Sequence, residues 1–248
     1  MLEVRALDKS FGGLHVTRDI SLRLEPGERR VILGPNGAGK TTLFNLLVGE
    51  LAPSGGQILL GGEDITGRSV AERARRGLSR SYQKNNLFES LTVRENLALA
   101  AAASLGQTRS LLRDSLRDRQ VAERVEAAAE QVALHDRLDL PVSEASYGNR
   151  RQLEVGLALA TRPRVLLMDE PTSGVGPGLI EGFNRMMQNL PRDLTMLIIE
   201  HDLDLAFDVA DRITVLNFGA VVFEGTPGET RNSPEVREIY LGDWQADA

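Results

Sequence analysis

Eight consecutive residues, Gly34-Pro35-Asn36-Gly37-Ala38-Gly39-Lys40-Thr41, fit the pattern G-x-x-x-x-G-K-[ST] at every fixed position, and Thr42 follows. The residue types suit phosphate chemistry. Glycines let the backbone close around phosphate oxygens with several N–H groups pointing inward, and the helix that follows presents its positive end. Lys40 would stand against the β- and γ-phosphates, and the Thr41 hydroxyl would hold Mg²⁺. Lysine is scarce in this chain: Lys9, Lys40 and Lys84 are the only three among 29 cationic side chains. A lysine kept at this position answers a need for a compact point charge, which an arginine fork fits differently. The loop therefore implies binding of a nucleoside triphosphate.

A second chemical feature lies downstream. Val165-Leu166-Leu167-Met168 reads as a buried strand, and it runs out into Asp169 and Glu170. Sites on parallel sheets form at the carboxyl ends of strands. Asp169 there suits Mg²⁺, and Glu170 suits polarising a water for attack on phosphorus. Thr195-Met196-Leu197-Ile198-Ile199 repeats the apolar run and is followed by Glu200 and His201, which could reach a γ-phosphate. The competing assignment for His201 is a helix cap. His15 and His135 have no comparable setting.

Several elements must position these groups. Leu2 to Leu7 and Val16 to Leu24 alternate like half-buried strands about a Phe11-Gly12-Gly13 turn, and Arg30 to Leu33 reads as a short buried strand. A helix is expected from about Lys40 to Val48, and a hairpin around Ile58 to Leu60. From about Ala71 to Arg162 the pattern is mostly helical, with a strongly charged stretch from Arg109 to Arg124. Strand and helix then alternate at Val165–Met168, Leu179–Leu190, Thr195–Ile199, Leu203–Val209 and Ile213–Leu216. The sum is an α/β chain: a parallel-sheet core, an N-terminal antiparallel β layer and a helical insertion.

Composition narrows the classes. The 248 residues carry a formal net charge of −6, which disfavours a dedicated nucleic-acid binder. There is no cysteine, so disulfides and thiolate chemistry are excluded. The N-terminus lacks the apolar run of a signal peptide, and the longest weakly polar stretch, Leu97 to Leu105, is about half a bilayer crossing. A membrane role then requires other chains to supply the span.

Taken in order, the phosphate loop, Gln83, a helical block, the segment Ala145-Ser146-Tyr147-Gly148-Asn149, Asp169-Glu170 and His201 resemble the ATP-binding subunits of ABC transporters along essentially the whole chain. The resemblance implies a P-loop NTPase fold with a RecA-like parallel core. It places the catalytic core at about 1–83 and 163–248, a helical subdomain at about 84–162, and a tail at 226–248. It gives Gln83 a contact to Mg²⁺ or the attacking water. It gives Phe11 a stacking role on adenine, and gives Ser146, Tyr147 and Gly148 the γ-phosphate of a nucleotide on the opposite subunit. Phe11-Gly12-Gly13, Arg80-Ser81-Tyr82-Gln83, Leu91 to Leu97, Ser146-Tyr147-Gly148 and the ending Pro234 to Gly242 are similar to the branched-chain amino-acid uptake group, which also takes urea, amides and aromatic acids. The likeness is to the first of that group's two ATPase subunits.

ATP and Mg²⁺ are the implied cofactors. The implied partners are two membrane-spanning permease subunits, a second ATP-binding subunit (a different chain, with a second copy as the alternative) and, indirectly, a periplasmic or extracellular solute-binding protein. The location implied is the cytoplasmic face of a bacterial inner membrane. Three departures stand out: Ala145 and Asn149 replace the usual leucine and glutamine, and Gly176 stands where the family carries aspartate or asparagine in the loop that couples two nucleotide sites. Three other functions fit parts of the pattern: an ATPase of lipid or lipopolysaccharide export, a soluble ABC ATPase working on DNA or ribosomes, and a module that binds ATP without turnover.

Overall fold

Apolar residues at every second position build the first sheet. In β1 (Leu2–Phe11) and β2 (Leu14–Leu24), Leu2, Val4, Leu7, Ile20, Leu22 and Leu24 are buried while intervening residues face outward. The two strands pair antiparallel around Gly12-Gly13, with Phe11 opposite Leu14. β4 (Gly55–Leu60) adds to the other edge of β1, and β5 (Glu63–Asp64) completes the order β2-β1-β4-β5. The computed structural model describes residues 1–81, 87–107 and 117–240. The chain divides into two compact units, Met1–Arg73 with Arg192 onward, and Ala74–Pro191.

The first unit also holds the parallel strands around the phosphate loop. All five residues of β3 (Arg29–Leu33) are buried, as are all five of β8 (Thr195–Ile199). Such continuous burial marks strands covered on both faces. β8 and β9 (Arg212–Asn217) flank β3 in parallel, and β10 (Ala220–Gly225) pairs antiparallel with β9. After β3 the chain enters α1 (Lys40–Val48), which buries Leu43, Phe44, Leu46 and Leu47. The buried Arg73 of α2 (Val70–Arg75) donates from Nη1 to the carbonyls of Leu46 and Leu47, satisfying acceptors that the end of α1 leaves open. α7 (Leu203–Val209), α8 (Pro227–Asn232) and α9 (Pro234–Ile239) complete the unit.

In the second unit, β6 (Leu78–Ser81) and β7 (Val165–Asp169) form a parallel pair, Ser81 opposite Met168. Three helices pack together, α3 (Val93–Ser104), α4 (Arg119–Gln131) and α5 (Tyr147–Ala160). Their contact is close at Gly156, where a Cβ would lie 3.2 Å from Leu97 and Val132. α6 (Pro177–Asn189) follows β7.

Two sequence expectations change. The stretch from Ala71 to Arg162 is interrupted by β6, whose alternation is too short to stand out against flanking helical residues; pairing with β7 makes it a strand. The expectation names no element in β10 or in the tail at 226–248, which holds α8 and α9. Part of the charged Arg109–Arg124 stretch, and residues 241–248, lie outside the described residues.

Candidate functional site

In the first unit, the register of β3 against β8 places the phosphate loop and His201. Ile32 pairs with Ile199, and the Glu200 N–H continues the ladder to the Ile32 carbonyl at 3.2 Å. The phosphate loop starts at Gly34 and His201 stands two residues past β8, so both leave the same carboxyl edge of the sheet. Gly34 has φ 153°, and a Cβ there would lie 2.3 Å from the Leu216 carbonyl oxygen, so only glycine passes that point. Lys40 is 8% exposed, and its Nζ donates to the Gly34 and Pro35 carbonyls, which holds the ammonium across the loop. Gly39 caps α1 without a side chain, which keeps the first-turn N–H groups of the helix clear for an anion. Thr41 is exposed, while Thr42, Pro35 and the exposed pair Asn36 and Gly37 line the same turn beside buried Ala38. These features fit a polyphosphate.

His201 is exposed and does not cap α7; Asp202 does, accepting from the Leu205 N–H at 3.0 Å. The fully buried Glu200 accepts the His201 and Asp202 backbone N–H groups at 2.9 and 3.3 Å, fixing the turn that projects the imidazole. Phe11 is 48% exposed at the end of β1, with the Lys9 ammonium 4.9 Å from its ring centroid. His15 lies 2.7 Å from Asp8 and His135 3.2 Å from Glu126, both in surface contacts.

The two acids belong to the second unit. Asp169, 3% exposed, ends β7, and Arg80 on the neighbouring β6 approaches its carboxylate to 3.6 Å. Glu170 leaves the strand with φ 45°, the left-handed region, which costs a side-chain-bearing residue roughly 1–2 kcal/mol and persists only where the surroundings hold it. Arg151 of α5, which the sequence reading passed over, donates from Nη2 to the Glu170 carbonyl at 2.8 Å and from Nε to the Pro171 carbonyl at 2.7 Å. Its Nη1 meets Glu154 at 2.5 Å. The i,i+3 spacing of Arg151 and Glu154 was visible in the sequence, but an ion pair of that kind usually decorates a surface. Burial raises the Glu154 carboxyl above its ordinary value, against the pull of Arg151.

Ser146 caps α5 and is exposed; its hydroxyl donates to Asn149 Oδ1 at 2.9 Å and accepts the Asn149 N–H at 3.2 Å. The shorter amide of Asn149 is thus engaged locally. Tyr147 donates to the Ser173 carbonyl at 3.2 Å and lies over Gly174, where φ is 78° and a Cβ would meet its hydroxyl at 2.4 Å. Gly148 faces Leu179, which a Cβ would approach to 3.3 Å. Gly176 caps α6 with no side chain, and nothing lies within 4 Å of a Cβ built there. Gln83 lies outside the described residues. Among those described, no three His, Asp or Glu side chains cluster to hold a metal.

The ABC transporter family model matches residues 17–173. The chain belongs to this family. It carries an ABC ATPase domain, and no helix among the described residues is long and apolar enough to cross a membrane. It is 37% identical over 98% of its length, and 98% of theirs, to the high-affinity branched-chain amino acid transport ATP-binding proteins BraF of Pseudomonas aeruginosa and LivG of Escherichia coli K12. It is 35% identical to the lipopolysaccharide export system ATP-binding protein LptB of Acidithiobacillus ferridurans, over 98% of this chain and 97% of that one. Among solved structures, the ADP conformation of an ATP-binding cassette of an ABC transporter superposes with a TM-score of 0.81 at 31% identity, covering 98% of this chain and 99% of that one. The family's P-loop ATPase fold, with its mixed parallel sheet and additional antiparallel sheet, accounts for the architecture expected from the sequence.

Proposed function

We propose that this chain hydrolyses ATP to drive an importer of branched-chain amino acids or related small solutes such as urea, amides or aromatic acids. The observation that carries the reading is an intact phosphate loop on a chain similar along 98% of its length to proteins named for branched-chain amino acid transport. The N–H groups of the loop from Gly34 to Thr42, all but Pro35 having one, take the phosphates, and Lys40 neutralises charge on the β- and γ-oxygens. Phe11 offers its exposed ring to adenine. Thr41, Asp169 and Gln83 would hold Mg²⁺, which when bound offsets charge on the transferring phosphoryl group.

Glu170 orients a water and takes its proton as the water's oxygen attacks the γ-phosphorus in line with the departing ADP oxygen. His201 donates to the γ-phosphate as charge develops there. Two ATPase subunits meet head to tail, so that the Ser146-Tyr147-Gly148 segment of one faces the nucleotide held by Lys40 of the other. The companion is a different ATP-binding chain, Gly176 making this one the atypical half. Two permease subunits span the membrane and receive the segment around Phe88, an exposed apolar side chain whose backbone is tied to α3 by buried Asn96. A solute-binding protein delivers solute on the far side, and this chain sits on the cytoplasmic face of a bacterial inner membrane.

The test pairs turnover with uptake. Glu170→Gln in the assembled transporter is expected to cut phosphate release about a hundredfold or more while ATP stays bound, and to stop uptake of labelled leucine. Retained turnover removes Glu170 from the role. A strain lacking the chain that still takes up branched-chain amino acids but fails to export lipopolysaccharide transfers the reading to export, which the likeness to the lipopolysaccharide export protein makes the second choice.

A further inference from the structure

We infer that Arg151 is the positioning residue for ATP hydrolysis that sets the aim of Glu170, an inference resting on the reading of Glu170 as the group that polarises the attacking water. Arg151 is 6% exposed, and its guanidinium spends two donors on consecutive main-chain carbonyls, Glu170 at 2.8 Å and Pro171 at 2.7 Å. A planar fork with donors on adjacent nitrogens suits two neighbouring acceptors, and a lysine ammonium cannot reproduce that geometry. The residue it grips has left-handed φ, a conformation that turns the Glu170 side chain away from the alternation of β7. The Ser173 N–H also reaches the Glu170 carbonyl, at 3.0 Å, closing the turn on the same oxygen. Fixing that peptide plane fixes the direction of the Glu170 Cα–Cβ bond, and with it the carboxylate. Glu154 holds the guanidinium from the other side.

The same helix touches the same loop again through Tyr147, whose hydroxyl donates to the Ser173 carbonyl. Arg151 and Tyr147 therefore tie both ends of the turn after β7 to the first turns of α5. A displacement of the Ser146 end of α5 is delivered to the Glu170 backbone, without a side chain at Gly176.

The test uses Arg151→Lys, which keeps a cation beside Glu154, in membranes holding the assembled transporter. ATP turnover is measured at steady state, and single-turnover release of labelled phosphate is followed with and without Glu170→Gln. Arg151→Lys is expected to lower kcat about tenfold or more, as misplacement of a reacting group by a fraction of an ångström does, with KM for ATP within about twofold. In the Glu170→Gln background the same change is expected to alter the residual rate less than about twofold, because the group it aims is already gone. An unchanged kcat, equal losses in both backgrounds, or loss of ATP binding together with turnover would each overturn the assignment, the last two marking a structural role only. Full turnover in Glu170→Gln alone identifies failure of the Glu170 reading itself, and Arg151 falls with it.

Discussion

Glu154 shows how a side chain outside the reacting groups leaves a signature in stability. Burial raises its carboxyl above the ordinary value of 4.5, with Arg151 opposing the shift. Below that value both folded and unfolded chains hold the proton, and the folded protein keeps the full contribution. As pH rises through the folded value the buried carboxylate must ionise, the unfolded chain binds fewer protons than the native one, and stability falls. Thermal unfolding from acid to neutral pH is therefore expected to show Tm of the natural chain dropping relative to Glu154→Gln as pH increases. Parallel curves would remove Glu154 as the source. Arg80 beside Asp169 and Glu200 beneath His201 are further cases in which a charged partner outside the motif holds a motif residue in place.

At the scale of elements, α6 begins on a glycine that contributes conformation but no cap. The position is open, and Asp is among the preferred N-cap residues, with a charge suited to the positive end of a helix. Gly176→Asp is expected to stabilise the chain by about 0.5 kcal/mol, read as a small rise in Tm. It should also raise ATPase activity in the assembled complex if the side chain restores coupling between two nucleotide sites. A rise in Tm with no gain in activity would separate the cap from the coupling. In contrast, α3 begins with a complete capping box, Thr92 accepting the Glu95 N–H at 3.2 Å while Glu95 accepts the Thr92 N–H at 2.8 Å. β6 was not legible in the sequence, because four residues of mixed character acquire strand geometry only from their partner β7.

For the molecule as a whole, the proposal of two ATPase subunits sharing nucleotides makes assembly a condition of turnover. The purified chain alone is expected to release phosphate slowly, and co-assembly with permease subunits and the second ATP-binding chain to raise the rate. A full rate from the isolated monomer would count against shared sites. The formal charge of −6 gives no drive toward an anionic lipid surface, in keeping with attachment through protein contacts.

What the amino-acid order determined by itself was chemistry confined to neighbouring residues. The phosphate loop and the acids at the end of an apolar run each occupy a few consecutive positions, so spacing alone carries their geometry. The buried strands β3, β7 and β8 were legible for the same reason, since burial on both faces demands an unbroken apolar run. Only the tertiary structure decided what acts on those residues from afar. Arg151 reaches the Glu170 carbonyl across 19 positions, from a helix to a turn whose left-handed φ no sequence pattern announced. Such contacts depend on which faces pack and how a peptide plane is turned, and neither quantity is periodic along the chain.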